Sequence, residues 1–339
     1  MLQRINRVLG VAAALLSLSD VASSQNAPIF GSRKYAPAFF TIDRETGQAT
    51  LASDNITVTM TSMARHPVTG LVYYIGNVDP NPVAVWDPSL DTETIINPAS
   101  GQQLHRMGFN WIGDLYGMKL NSRRLFRVNT VTGEMIEVGD LMGVPTAGSS
   151  GDISFPPGET NVFYYLAGQD LYRVDIRTLS GTLVGPTGMG FEGVGLGFDA
   201  DGRLFGCTAY NFFELDPSSG AATFIGVMGA KMNDLGEAIE PRELVLQVND
   251  NTLNVGDTIS LTTFGGMPGG GTLLAVVMIN ATPSFLSLRL GLFDGAGQWN
   301  VSGPVSPGVA GIDLTFRVYG IAADGFVAQT NDRRVQFDP

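Results

Sequence analysis

The chain has 339 residues, of which 44% are hydrophobic and 15% charged, and this composition excludes an intrinsically disordered protein. The formal net charge of −12 repels phosphate backbones, so we expect no nucleic-acid partner. Cys207 is the only cysteine, which excludes an intrachain disulfide.

The first residues have the pattern of an export signal. Arg4 and Arg7 precede an apolar run over 8–18, and the small residues 22–24 follow it before Gln25. The pattern predicts a signal peptide over 1–24. The apolar run is too short to span a bilayer, so we expect no transmembrane anchor after cleavage. The mature protein would then be secreted, periplasmic or on the cell surface.

A short apolar strand that ends in an acid or amide, followed by a turn, occurs five times. The acid or amide positions are spaced by 44, 42, 46 and 41 residues, and they are Asp43, Asp87, Asn129, Asp175 and Asp216. A period in this range, with strand and turn chemistry inside each copy, is typical of β-propeller blades. Each unit shows four strand patterns, which is the number of strands in a blade.

The turn in each copy has a physical explanation. The short side chain at the acid or amide position can accept a hydrogen bond from the backbone two residues on. A glycine with positive φ then closes the turn, and we assign this role to Gly47, Gly133, Gly181 and Gly220. The second copy has Asp91 instead, and aspartate tolerates the left-handed region better than most residues.

The ends of the repeat region indicate how the ring closes. The first copy lacks one strand, and residues 233–237 (NDLGE) resemble the innermost strand over 151–154 (GDIS). The sequence therefore predicts an all-β, five-bladed propeller over 28–240, closed by a C-terminal inner strand that completes the first blade. Pro241 marks the boundary to residues 241–339, whose strand patterns predict an immunoglobulin-like or fibronectin-like β-sandwich.

The repeated phrase, as in LYRVDIRTLSG, resembles secreted bacterial propeller proteins of the broad NHL and lactonase-like kind. The last 99 residues look like β-sandwich modules appended to exported bacterial proteins. The resemblance implies fold and export. It does not imply one activity, because such propellers include lyases, hydrolases, cyclases and pure binding proteins.

Ligands of propellers usually bind where the innermost strands converge. Aligning these strands places five residues at equivalent positions, with spacings of 44, 46, 43 and 39: Ser62, Arg106, Asp152, Gly195 and Asp234. One interpretation is a calcium site that uses Asp152 and Asp234. The alternative is that Arg106 neutralises the two acids and plugs the axis. His105, beside Arg106, is a candidate proton-transfer group.

Two classes of function follow. The first is a non-catalytic extracellular binding protein for a protein or glycan ligand at the propeller mouth or face, with Ser62, His105, Arg106, Asp152 and Asp234 as candidate ligand contacts. The alternative is a glycan-active hydrolase, lyase or cyclase that uses carboxylates at the central channel. Asp152, Asp234 and Glu237 are the carboxylates available for it. We expect the binding class.

Overall fold

The computed structural model describes residues 28–33, 36–67, 69–146, 148, 150–190, 193–237, 244–266, 271–280, 282–294, 297–321, 327–329 and 333–338. The predicted signal peptide over 1–24 and the predicted boundary at Pro241 lie outside the described residues. The chain divides into two compact units, the first made of residues 1–110 and 114–240 and the second of 111–113 and 241–339. Among the described residues, no helix is long and apolar enough to cross a membrane.

The described part of the first unit is all-β. Its strands are β1 (Ile29–Ser32), β2 (Phe39–Ile42), β3 (Ala49–Ser53), β4 (Met60–Arg65), β5 (Val72–Gly76), β6 (Val83–Asp87), β7 (Thr92–Asn97), β8 (Leu104–Phe109), β9 (Leu115–Lys119) and β10 (Arg124–Val128). They continue with β11 (Met135–Asp140), β12 (Asp152–Ser154), β13 (Val162–Ala167), β14 (Asp170–Asp175), β15 (Ser180–Pro186), β16 (Gly195–Phe198), β17 (Leu204–Cys207), β18 (Asn211–Leu215), β19 (Ala222–Val227) and β20 (Asp234–Gly236).

These strands form four-stranded antiparallel sheets in a propeller-like arrangement. Four sheets follow chain order, β4 to β7, β8 to β11, β12 to β15 and β16 to β19, and one has the order β20-β1-β2-β3. In that sheet Gly31 of β1 lies opposite Leu235 of β20, so residues near the end of the unit complete the sheet that the first strands begin. We call β20, β4, β8, β12 and β16 the inner strands. Each packs against two others, and together they close a ring.

Apolar side chains fill the space between neighbouring sheets. Phe39 of β2 stacks on Trp86 of β6 with ring centroids 4.6 Å apart, and Phe30 of β1 meets the edge of the same indole at 5.4 Å. Trp86 is 2% exposed. Because aromatic side chains bury the largest apolar areas, such pairs hold two sheets face to face.

The repeated turns form as their chemistry predicts, with one correction. In every copy the oxygen at the acid or amide position accepts the N–H two residues on, for example Asn129 from Val131 at 2.9 Å. Gly181, however, does not supply the positive φ of the fourth copy; Leu179 does, with φ 52°. That copy is longer, so the residue four after Asp175 is Leu179. Gly181 instead allows the chain to pack closely against Val144, since a Cβ at this position would lie 2.3 Å from that side chain.

The described part of the second unit contains two sheets. Its strands are β21 (Val245–Val248), β22 (Thr252–Asn254), β23 (Thr258–Phe264), β24 (Gly271–Ile279), β25 (Thr282–Leu292), β26 (Trp299–Pro304), β27 (Ile312–Ile321), β28 (Val327–Gln329) and β29 (Arg333–Asp338), with a 3₁₀ turn at Pro307–Val309. One sheet has the order β21-β23-β26, and the other has the order β22-β29-β27-β24-β25, with β28 beside β27. Leucine, valine and phenylalanine side chains from both sheets share one core.

Candidate functional site

The aligned acids of the inner strands bind backbone, and this contact links neighbouring sheets. The Asp234 carboxylate accepts the N–H of Met63 at 2.7 Å and that of its own neighbour, Leu235, at 2.9 Å. Asp152 repeats the pattern, since it accepts the N–H of Leu196 at 2.8 Å and that of Ile153 at 2.7 Å. Inner strands present unpaired N–H groups along one edge, so these carboxylates satisfy donors that the sheets leave free.

The other aligned residues are also used inside the ring. The Ser62 hydroxyl donates to the carbonyl of Leu104 at 3.0 Å, which joins β4 to β8. Gly195 has no side chain, and the next inner strand comes so close that a Cβ would lie 2.6 Å from the Leu235 nitrogen. His105 is half-buried at a register shift in β8, between Leu104 and Arg106.

Arg106 is fully buried, but it does not neutralise the acids by a salt bridge as one interpretation of the sequence expects. Its guanidinium donates to the carbonyls of Gly148 and Ser150, both at 2.6 Å, and to that of Lys119 at 3.3 Å. The cation lies 5.7 Å from the Tyr165 ring centroid. Arg106 therefore joins β8 and β9 to the segment before β12.

Three buried acids lie on or directly after the inner strands, and we call Asp152, Asp234 and Glu237 the axial acids. Burial dominates their electrostatics. Burial, followed by the charge of Asp234, raises the pKa of Asp152 well above its ordinary value, and burial also raises the pKa of Asp234. The two carboxyl groups share a hydrogen bond, so the pair retains a proton near neutral pH. Glu237 accepts the N–H of Arg65 at 3.0 Å, and burial raises its pKa to about 7.

The oxygen ligands that Asp152 and Asp234 offer can be compared with those that calcium requires. Calcium takes six to eight oxygen ligands, whereas Asp152 and Asp234 offer two carboxyl groups whose oxygens all accept backbone N–H groups. Within the described ranges, no group of three or more His, Cys, Asp or Glu residues is placed to hold a metal. A calcium site at this position therefore stays a prediction from sequence, and we derive no chemistry through it.

A second candidate site is an apolar cleft in the unit that includes residues 244–338. Its volume is about 550 Å³, and residues of both sheets line it, among them residues of the edge strands β25 and β26. Its aliphatic and aromatic lining is Ile259, Leu261, Leu274, Val276, Ile279, Leu286, Leu288, Val301, Val305, Val309, Ile312, Leu314, Phe316 and Phe337. Among the described residues of the lining, Arg289 is the one with a charge. Because it lies between residues of the two sheets, we call this space the sandwich cleft. Pockets of this size and character hold small apolar ligands.

A register shift in β25 brings Arg289 to the sandwich cleft. Simple alternation would place Leu286, Leu288 and Leu290 on one face of the strand and Arg289 on the other. In the structure Leu274 lies opposite Arg289 and Ala275 lies opposite Ser287, so Leu288 is an extra, bulged residue. Arg289 therefore shares a face with Leu274, whose side chain lies in the core.

The sequence predicted β25 as a strand but not the sandwich cleft. The available signal was an unusually long strand, Thr282–Leu292, with four alternating leucines and a single charge. Those leucines are 50%, 52%, 74% and 67% exposed in chain order from Leu286. An edge strand with one charge and exposed leucines lacks the usual protection of edges, which is a sign of a binding surface.

Comparisons with known proteins give only weak structural similarities. No protein-family model matches the chain, and no curated protein matches it. The extracellular domain of the one component system BT4673 from B. thetaiotaomicron is 9% identical over 92% of this chain and 57% of that chain, with a TM-score of 0.30. The chain thus spans little more than half of that domain. A streptogramin B lyase structure is 11% identical over 90% of this chain and 93% of that chain, with a TM-score of 0.35. Values this low carry no argument about fold or activity.

Proposed function

We propose that the chain is a non-catalytic extracytoplasmic binding protein whose ligand occupies the sandwich cleft. In this proposal residues 28–240 form a five-bladed propeller closed by β20, and residues 241–339 form an immunoglobulin-like or fibronectin-like sandwich. Export rests on the signal pattern over 1–24. The observation that carries the binding site is the open cleft of about 550 Å³ with its almost entirely apolar lining.

The burial and hydrogen bonding of the axial acids favour a binding function over catalysis. A glycosidase needs two carboxyl groups that face an open cleft and reach substrate. Asp152, Asp234 and Glu237 are at most 2% exposed, and each carboxylate accepts backbone N–H groups. Carboxyl groups held in this way join strands and are almost completely shielded from solvent. The axis therefore serves stability in this proposal.

The lining of the sandwich cleft also narrows the kind of ligand. A glycan needs many polar partners for its hydroxyl groups, and the polar side chains among the described lining residues are Arg289, Ser302 and Ser306. An apolar ligand loses nothing in such surroundings and gains from leaving water. A protein or glycan partner on a face of the propeller stays a prediction from sequence.

Binding of the neutral apolar dye Nile red to the full chain tests the proposal. Leu288→Asp introduces a charge into the lining, while Leu290→Asp makes the same change two residues away, outside the lining and at 74% exposure. We expect saturable binding that Leu288→Asp weakens at least tenfold and Leu290→Asp leaves unchanged. Absence of saturable binding, or equal effects of the two substitutions, would overturn the proposal.

A further inference from the structure

We propose that the ligand of the sandwich cleft is a free long-chain aliphatic monocarboxylate, with its tail among the apolar side chains and its carboxylate on Arg289. This inference rests on the proposed binding function and adds the chemical class of the ligand. Two independent observations support it: the composition of the lining and the position of the single charge.

The lining selects a flexible aliphatic tail. Leu274 and Val276 form the floor of the sandwich cleft at 4% and 2% exposure, while Leu286 and Leu288 at the mouth are 50% and 52% exposed. A tail lying across the mouth would cover these half-exposed leucines as well as fill the interior. Burial of each further methylene should tighten binding about fourfold until the space is full.

The single charge selects an anionic head group. Arg289 is exposed and forms no ion pair within the described part of the chain. The bulge at Leu288 turns this side chain onto the face that lines the cleft, although strict alternation would turn it away. An unpaired guanidinium beside an apolar space matches a carboxylate with a hydrocarbon tail, because its planar donors bind carboxylate in a bidentate way.

The acidic character of the chain makes the position of Arg289 more selective for an anionic ligand. The whole chain has a net charge of −12, so anionic molecules are repelled from most of its surface. A molecule with an aliphatic tail and a carboxylate is therefore stabilised by both of its parts in the sandwich cleft. A cationic amphiphile of the same length would bring its head group to Arg289 and be rejected.

The test is displacement of Nile red from the full chain by three amphiphiles with the same tail, used as monomers: dodecanoate, dodecanol and dodecyltrimethylammonium. We expect dodecanoate to compete about tenfold better than dodecanol, and the cation to compete worst. In Arg289→Ala dodecanoate and dodecanol should become equal, while Arg289→Lys keeps part of the preference. Arg334→Ala is the control, since it removes an exposed arginine that pairs with Asp313 on another strand.

The failures of the two proposals are distinguishable. If Nile red binds as expected but dodecanoate and dodecanol compete equally, or if the preference survives in Arg289→Ala, the ligand class is wrong and the binding site stands. Binding to anionic phospholipid vesicles without displacement by monomeric dodecanoate would also overturn the ligand class. A dimer that dissociates in Leu290→Glu and loses dye binding would show that β25 is an interface between two copies. If dye binding is absent altogether, the proposed function fails.

Discussion

The Asp234 carboxylate accepts the backbone N–H of Met63 at 2.7 Å, and this one hydrogen bond joins residues 171 positions apart. Asp234 belongs to β20, which pairs with β1, whereas Met63 belongs to β4 of the next sheet. The strand pairing and this hydrogen bond together tie β20 to two early strands, β1 and β4. A buried acid that acts as a hydrogen-bond acceptor thus contributes to closing the ring.

Asp234→Ala should destabilise the chain by about 2 kcal/mol, because the N–H groups of Met63 and Leu235 lose their acceptor in a buried position. Asp140→Ala is the matched control. That carboxylate is 62% exposed, and within the described part of the chain its ion pair is with an exposed Arg124, so its loss should cost less than about 1 kcal/mol. Urea denaturation of the two variants measures the difference. Equal costs would mean that the Asp234 contact does not stabilise the ring.

Arg106→Ala should lower the free energy of unfolding by about 3 kcal/mol, since the buried carbonyls of Lys119, Gly148 and Ser150 lose their donor. Arg106→Lys should recover only part of this, because one ammonium group cannot reproduce the planar guanidinium contacts. Calcium should leave the melting temperature of the wild type unchanged. A clear rise with calcium, reversed by a chelator, would instead support the cation site at Asp152 and Asp234.

Stability should decrease as pH rises from about 5 to 8. Burial raises the pKa of Glu237 to about 7 from its ordinary value of 4.5, so the folded state holds a proton in this window that the unfolded state has released. Folding is then most favourable below the unfolded-state pKa of 4.5. The stabilisation from the retained proton, about 3 kcal/mol for this residue, is lost above pH 7. The acids with lowered pKa, such as Asp43 and Asp87, are ionised in both states throughout this range.

Glu237→Gln tests whether Glu237 causes this pH dependence, since glutamine keeps an acceptor for the Arg65 N–H but does not titrate. Thermal melts at pH 5, 6, 7 and 8 should show a smaller pH dependence in this variant than in the wild type. An unchanged pH dependence would assign the effect to the Asp152 and Asp234 pair instead.

Shortening the chain should separate the two units. Ending it after residue 241 keeps β20 beside β1 and should leave the first unit folded, whereas ending it after residue 232 removes β20 and should unfold that unit. Circular dichroism and limited proteolysis of the two shortened chains provide the comparison. An unfolded chain 1–241 would contradict a first unit that folds by itself.

The sequence predicted those parts of the fold that depend on local chemistry. The side-chain oxygens of Asp43, Asn129 and Asp216 each accept the N–H two residues on, because side chains this short reach the backbone of their own turn. The resemblance of 233–237 to 151–154 likewise identified the strand that pairs with β1. The turn at Leu179 was missed because spacing from Asp175, rather than the presence of a glycine, decides which residue takes positive φ.

The candidate sites depended on register, which the sequence did not reveal. Equivalent positions brought Arg106, Asp152 and Asp234 to the inner strands, but charge alone suggested that Arg106 forms salt bridges with the two acids. The structure pairs each of them with backbone groups, since those inner-strand and loop groups need partners. The sandwich cleft depends on a bulge at Leu288 that no alternation pattern shows.

Methyl-detected NMR of the full chain, labelled at Leu, Val and Ile and titrated with dodecanoate, tests the central claim most directly. We predict chemical-shift changes at Leu274, Val276 and Val301, which line the sandwich cleft, and none at Leu196 and Leu235 of the inner strands. Changes at the inner strands with none in the sandwich cleft would contradict the account, because the ligand would then bind at the propeller axis.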